Sequence, residues 1–485
     1  MSKGETFSFD DYLSPFTWRY GSPEMRKLFS EKTRRATWRR VWLALAEAEA
    51  GLGLVSGREL EDIRSHSREK YVDIGRAHEL ERVIRHDLMA ELRTFAAQAK
   101  VGGGKLHLGA TSMDIEDNAD VIIYAQATQI ILSRLAACLA AGRANITKYK
   151  TTACMAWTHL QPAEPTTLGY RLATYAQDLV LDVKLLEVLK ADFLLGKGVK
   201  GAVGTSASFK ALLGTDGKVR SLERRAMEKL GIGYFEVASQ TYPRKVDFLV
   251  LSALASVAQS CYKFGLDLRV MQSPAFGELS EPVGEKQVGS SAMPFKRNPV
   301  TAERMCSLAR FVSVLPTVAF SNAANSILER TLDDSAARRI VVPEAFLAVD
   351  ECLTIWERLM GGLQVYPEMI RKNLERYGSF AGTEALLMKL AERGGDRQEF
   401  HERIRVLSFK AWDEVMKGKA NPLGTLLSRD RSIASKVSKR EIEKLVDAGG
   451  HIGDAARRCE SFVRKQVDPI LASYGEKPSR RKTEY

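Results

Sequence analysis

Apolar positions recur along most of this chain at the three-to-four-residue spacing of an α-helix, and hardly anywhere at the two-residue spacing of a strand. The stretch TWRRVWLALAEAEAGL, from Thr37 to Leu52, is rich in Ala, Leu, Glu and Arg, which favour helix, and Gly51 and Gly53 supply a stop. A second helical pattern runs from Glu79 to Ala99, and a glycine-rich break, VGGGKLHLGATS, follows it before Asp114. The longest periodic segments lie in the middle of the chain. Asp120 to Ala141 has no interior Gly or Pro, and Thr166 to Leu195 and Val246 to Val270 are similar. Ala302 to Ala324 and Ala336 to Leu363 are also long, with Pro316 and Pro343 expected to kink or delimit them.

Helices of this length with Ala-rich faces predict an all-α fold built around a bundle of long, closely packed helices. Some of these faces are too apolar for one subunit to bury, which predicts oligomerisation through the bundle. Two Gly/Ser/Pro-rich segments, Gly196 to Ser208 and Ser273 to Pro299, read as loops. The second is long for a connection in a compact domain, and long loops of that kind tend to be functional or disordered. Three regions result: an N-terminal helical domain over 1–111, a central long-helix bundle over 112–364, and a C-terminal helical domain over 365–485 with a basic tail.

A chain of 485 residues suits two or three domains. The 72 Lys and Arg outnumber the 60 Asp and Glu, but net charge bears on partners and association rates, not on fold. The only dense basic run, Lys477, Arg480, Arg481 and Lys482, reads as a solvated tail and not as a nucleic-acid surface. Six cysteines are scattered without CxxC pairing, which points to reduced thiols in a reducing compartment. The N-terminus lacks the apolar stretch of a secretory signal, and no apolar run approaches membrane-spanning length, so the cytoplasm is the default location. There is no phosphate loop, and Gly198, Gly201 and Gly204 lack the spacing of a dinucleotide fingerprint. His401-Glu402 opens like a zinc protease motif, but Arg405 stands where the second His belongs. The seven His form no metal-ligand cluster in sequence.

Inside the long loop stands Gly289-Ser290-Ser291-Ala292-Met293-Pro294-Phe295-Lys296-Arg297-Asn298-Pro299, with Glu303 at the start of the next helix. A small, amide-rich segment beside a cation suits closure over an anionic substrate. This segment resembles the signature loop of the fumarase/aspartase superfamily, GSSxMPxKxNP, and its KRNP form resembles the adenylosuccinate lyases. Other blocks follow in the family's order: RYGSPEM from Arg19, Arg85-His86-Asp87, HLGATS from His107 with Asp114 and Asp117, THLQPA around His159, QTY with Arg244, and ERTLDDS from Glu329, ending at Arg339. Taken alone, THLQP would pass for a capped histidine at a helix start. Ala302 departs from the family, many of whose members have Ser before the loop glutamate.

The resemblance implies a fumarate-releasing carbon–nitrogen lyase acting on succinylated purine nucleotides, adenylosuccinate and the carboxamide ribotide SAICAR. Such an elimination removes a proton beside a carboxylate, stabilises the developing charge, and protonates the departing nitrogen. By resemblance, Ser290 is the general base, with Ser291 its rival. His159 is the general acid, oriented by Glu303, and Lys296 supplies positive charge. Arg19, Tyr20, Arg304, Arg330, Ser335 and Arg339 are expected to grip phosphate, ribose or carboxylate, since guanidinium groups bind such anions bidentately. Arg85, His86, Asp87, His107, Thr111, Ser112, Gln240 and Asn298 complete the expected substrate contacts. The family also implies a homotetramer with sites shared between subunits, and no metal or organic cofactor. Argininosuccinate lyase and fumarase chemistry are the near rivals, and a catalytically silent helical scaffold or nucleic-acid binder the distant one.

Overall fold

The computed structural model describes residues 10–284 and 291–475, and most of them are helical. The elements that position the site are α1 (Glu31–Ala50), α2 (Asp87–Gln98), α3 (Ser112–Tyr149), the hairpin β1 (Ala153–Thr158) and β2 (Gln161–Thr167), α4 (Leu168–Val188), α5 (Asp216–Leu230), α6 (Lys245–Gln272), the short strand β3 (Leu279–Ser280), α7 (Val300–Ala324), α8 (Asp333–Gly361) and β4 (Gln364–Val365).

Five helices form the central bundle, and cross-links between them give their directions. Pairs joining α3 to α8 advance together along both chains: Arg338 to Asp120 at 3.0 Å, Arg134 to Asp350 at 3.0 Å, Asn145 to the Met360 carbonyl at 2.6 Å. The two helices are therefore parallel. Helix α6 begins at the same end, because Arg244 just before it reaches Asp117 at 3.0 Å and Asp334 at 2.6 Å. Helices α4 and α7 run the other way. The Tyr175 hydroxyl donates to Asp267 at 2.8 Å while Ser260 donates to Asp182 at 2.6 Å, and Arg269 faces Glu303 while Phe248 faces Phe320. Helix α3, with 38 residues, is roughly 57 Å long, and α6, with 28, roughly 42 Å.

The packing divides into three apolar cores. The largest lies within the bundle, around Leu135, Leu179, Leu254, Val312 and Trp356, and residues 459–467 near the C-terminus join it. A second joins α1 and α2 to Phe209 and to Leu222, Ala226 and Leu230 of α5. Residues 199–230 thus pack with N-terminal residues although they lie in the middle of the sequence. The third is local to residues 386–446.

Several expectations need correction. The pattern from Glu79 to Ala99 is two helices, Ile74–Ile84 and α2, broken where Arg85 takes a left-handed φ of 57° and His86 caps α2. Pro316 and Pro343 lie inside α7 and α8 and delimit neither. Windows of α3 and α6 do reach the length and apolar character of membrane spans, but 61% and 56% of those windows are buried in the bundle, as in a protein's core helices. THLQP does not open a helix. It is the turn of the β1–β2 hairpin, with His159 at φ 57° and Leu160 at φ 58°. Two positive φ values in a two-residue loop match the strand twist, though they strain a Leu.

Asp350 is wholly buried on α8, accepting from the Ser22 amide at 2.6 Å and from Arg134 at 3.0 Å. Removing one partner of a buried ion pair leaves the other charge uncompensated, at a cost of about 3–5 kcal/mol. Asp350→Ala is expected to destabilise the protein by this order, read from thermal or urea unfolding. An unchanged midpoint would mean that Asp350 does not tie the N-terminal turn to the bundle.

Candidate active site

At the end where α3, α6 and α8 begin, the first turn of α3 is locked before it reaches any ligand. Thr111 and Asp114 form a reciprocal cap, with the Asp114 carboxylate accepting the Thr111 amide at 2.9 Å. The same carboxylate takes the Lys197 ammonium at 2.6 Å and the amides of Lys200 and Gly201, and both Asp114 and Lys197 are fully buried. The glycine-rich segment after α4 is thereby fastened beneath Thr111 and Ser112.

Six of the expected contacts are linked pairwise at this end. His86 Nε2 lies 3.3 Å from the Ser112 hydroxyl, Asp87 lies 2.5 Å from Arg339, and Arg330 donates to Gln240 Oε1 at 3.0 Å. Burial works against ionisation of Asp87, but the Arg339 guanidinium prevails and holds its carboxyl below the usual range. Arg330, Ser335 and Arg339 line one pocket together with Arg34, Arg338, Glu116, Asp120 and Tyr124. Its wall is rich in guanidinium groups, suited to phosphate or carboxylate. Arg85 is exposed at the break before α2. His107 is turned away into the N-terminal core. Its Nδ1 accepts from the Trp42 indole at 3.1 Å, and burial pushes its pKa down, which leaves a neutral ring.

The other expected residues lie elsewhere. Arg19 and Tyr20 sit on a turn held against the middle of α8: the Gly21 amide donates to Glu351, and a Cβ on Gly21 would meet Leu347 at 2.6 Å. Arg304 joins this group through its attraction for Glu351. Lys296 and Ser291 are exposed, and Asn298 is half-buried, all beyond the C-terminal end of α6. Glu303 pairs with Arg269 at 3.8 Å, and among the described residues it makes no hydrogen bond to His159. Ser290 lies outside the described residues. His159 is exposed at its hairpin tip. The hairpin packs near the same end of α6, with Trp157, close to its tip, edge-on to Phe276 at 4.9 Å. The Arg330–Arg339 pocket and the Lys296–Glu303 segment are therefore separated by the length of α6, roughly 42 Å, far beyond the span of one nucleotide. Among the described residues no group of three or more His, Cys, Asp or Glu is arranged to hold a metal ion.

Glu116, Asp120 and Arg338 were not singled out in the sequence, although they flank blocks that were. The signal for Glu116 and Asp120 was the acidic recurrence along TSMDIEDNAD, which places them one turn apart on α3, and that for Arg338 was its place beside Arg339.

A long-helix bundle with an arginine-lined pocket at one end and the Lys296–Glu303 segment at the other agrees with the comparisons, which point to a lyase family. The family model described as "Lyase" matches residues 19–313, and one described as "Adenylosuccinate lyase C-terminus" matches residues 379–462. The adenylosuccinate lyase of Schistosoma mansoni is 41% identical over 96% of this chain and 97% of its own length, and that of Saccharomyces cerevisiae 39% over the same shares. The chain belongs to the adenylosuccinate lyase family. In structure it is similar to a fumarate lyase from Mesorhizobium sp. BNC1, with TM-score 0.80 and 26% identity over 95% of this chain and 99% of that one. It also resembles the 3-carboxy-cis,cis-muconate lactonizing enzyme of Pseudomonas putida, with TM-score 0.81 over 94% and 99%, at 24% identity, which bears on fold alone.

Glu116 offers a pH test of the pocket. Burial, followed by the nearby Asp87 and Asp120 charges, pushes its carboxyl from 4.5 up to about 8. The folded chain then holds this proton more tightly than the unfolded chain, so the stability it contributes is complete at low pH and is lost as pH rises through about 8. Glu116→Gln, which cannot ionise, is expected to flatten the fall in unfolding midpoint between about pH 5 and 9. A slope identical to wild type would rule out a protonated Glu116.

Proposed function

We propose that this enzyme eliminates fumarate from adenylosuccinate to give AMP, and from SAICAR to give AICAR, in purine nucleotide biosynthesis in the cytoplasm. The observation that carries the proposal is the linked set His86, Asp87, Ser112, Gln240, Arg330 and Arg339 around an arginine-rich pocket, in a chain related over nearly its whole length to proteins named adenylosuccinate lyase.

Ser290 takes the proton from the succinyl carbon beside a carboxylate, with Ser291 as the alternative base. Serine can act so only as an alkoxide in a water-poor site, where the charge of Lys296 favours the ionised form. The carbanion's charge spreads into the carboxylate, whose oxygens need fixed donors. The C–N bond then breaks, its electron pair goes to the purine nitrogen, and His159 delivers a proton there while Glu303 orients its ring. Arg330, Ser335 and Arg339 hold anionic groups of the substrate, as do Arg19, Tyr20 and Arg304 from their separate turn. Arg85, His86, Asp87, Thr111, Ser112, Gln240 and Asn298 complete the contacts, whereas His107, held in the N-terminal core by Trp42, is not among them.

One chain holds these groups far apart, so the complete site is built where the opposite ends of different chains meet. A homotetramer with shared sites satisfies this. Its contact surfaces are supported by Leu181, Leu185 and Val188, which form an apolar stripe on α4 that is 42–56% exposed, and by Val314 and Phe320 on α7.

The first test follows the ultraviolet spectrum of adenylosuccinate on conversion to AMP, with argininosuccinate and malate as controls; turnover of a control alone would redirect the assignment. Ser290→Ala and His159→Gln are each expected to fold normally and lose turnover by several orders of magnitude. Near-normal turnover of the first would move the base to Ser291, and a change in KM alone in the second would make His159 a binding group. Mixing these two variants after subunit exchange is expected to restore part of the activity if they contribute to a site from different chains; no recovery would argue that both come from one chain.

A further inference from the structure

The signature loop leaves the bundle after β3 and returns at the start of α7, and a single carboxylate joins its two ends. Helix α7 opens without a side-chain cap, since its N-cap residue is Pro299. The first turn of any helix has amides without intrahelical partners. Two of these are satisfied from 20 and 21 residues upstream: Glu281 accepts the Thr301 amide at 3.1 Å and the Ala302 amide at 3.0 Å, both through Oε2. Glu281 is wholly buried, as is Ala302, and its charge is placed at the positive end of a 25-residue helix.

Gln272, the last residue of α6, completes the arrangement. Its side-chain oxygen accepts the Glu281 amide at 3.0 Å, and its nitrogen donates to the Arg297 carbonyl at 2.9 Å. The outgoing and returning limbs are thus bound to one another and to the end of α6. On the outgoing side β3 pairs with β4, where Leu279 is opposite Val365 and Ser280 opposite Gln364, so the junction to the C-terminal region anchors the same limb. Immediately after the clasped amides come Glu303 and Arg304, and just before them Lys296 and Asn298.

We infer that Glu281 is a positioning residue for the lyase reaction: by joining both limbs of the loop to the first turn of α7, it sets where Glu303, Arg304 and Lys296 stand. The inference rests on the function proposed above. Burial pushes the Glu281 carboxyl up, and the bonds it accepts from the Ala302 and Thr301 amides offset part of that rise. A merely structural cap would affect stability. A positioning role affects the chemical step, because a displacement of about 1 Å in a catalytic group can cost on the order of 100-fold in rate.

The test compares wild type with Glu281→Ala and Glu281→Gln in steady-state turnover of adenylosuccinate. The Ala variant is expected to lose on the order of 100-fold in kcat with KM within about threefold. The Gln variant keeps one carbonyl oxygen able to accept both amides, and is expected to recover at least roughly tenfold of that loss. A kcat for Glu281→Ala close to wild type, or equal impairment of the two variants, would overturn the inference. If Glu281→Ala does not assemble, Gln272→Glu serves instead. It retains Glu281 and an oxygen acceptor but loses the donor to Arg297, and it is expected to lower kcat about tenfold with KM little changed, whereas a normal kcat would count against the clasp. Wild-type turnover separately tests the lyase assignment, and only variant-to-wild-type ratios bear on Glu281.

Discussion

Three long helices, α3, α6 and α8, begin at the same end of the bundle, and the charge this concentrates there governs the rest of the structure. Each helix start carries about half a positive charge, so together they contribute roughly +1.5. Arg244 and Arg338 are buried among them and add two more. Asp117, Asp120, Asp247 and Asp334 answer with four carboxylates, bound to those guanidinium groups at 2.6–3.0 Å. The sum is close to neutral, and so a dense set of charges can be buried without an uncompensated ion. Tyr242 sits within the network and donates to Asp247 at 2.5 Å. Because Arg338 is held by four neighbours, the next residue, Arg339, leaves the helix in a fixed direction toward Asp87. The rigid network beneath gives the pocket above it its shape.

The same parallel helices impose a distance. A helix rises 1.5 Å per residue whatever its sequence, so anything attached to the far end of α6 stands roughly 42 Å from the pocket. The signature loop and the histidine hairpin are both attached there. In the proposed reaction, that length is why association of chains would be needed to bring base, acid and substrate grips together. The apolar stripes left exposed on α4 and α7 are the surfaces such an association would bury.

Where the proposed catalytic and binding groups sit on irregular backbone, backbone bonds to buried side chains hold the ends of that backbone. Asp114 with Lys197 does this under Thr111 and Ser112, and Glu281 with Gln272 does it at the neck of the signature loop. Neither arrangement was visible in the sequence. The partners are 83 and 20 residues apart, and a buried acid reads in sequence like any surface acid. Helices were legible because their signal is local: apolar residues repeating every three to four positions found each bundle helix, with ends off by up to eight residues at α3. The break at Arg85–His86 was missed because neither residue is a usual helix breaker. The THLQP turn was missed because Leu160 is a poor residue for positive φ, and only the pairing of β1 with β2 explains its conformation.

From the sequence alone came the all-α class, the family resemblance carried by seven ordered blocks, and the residue types the chemistry needs. These depend on periodicity and motif, which a chain displays whether or not it is folded. Tertiary structure alone decided which of those residues meet. It brought His86 to Ser112, Asp87 to Arg339 and Gln240 to Arg330 across 26, 252 and 90 residues, turned His107 inward against Trp42, and set the signature loop at the opposite end of the bundle from the pocket. Such outcomes depend on helix lengths and directions summed over the whole bundle, and no local stretch of sequence contains that sum.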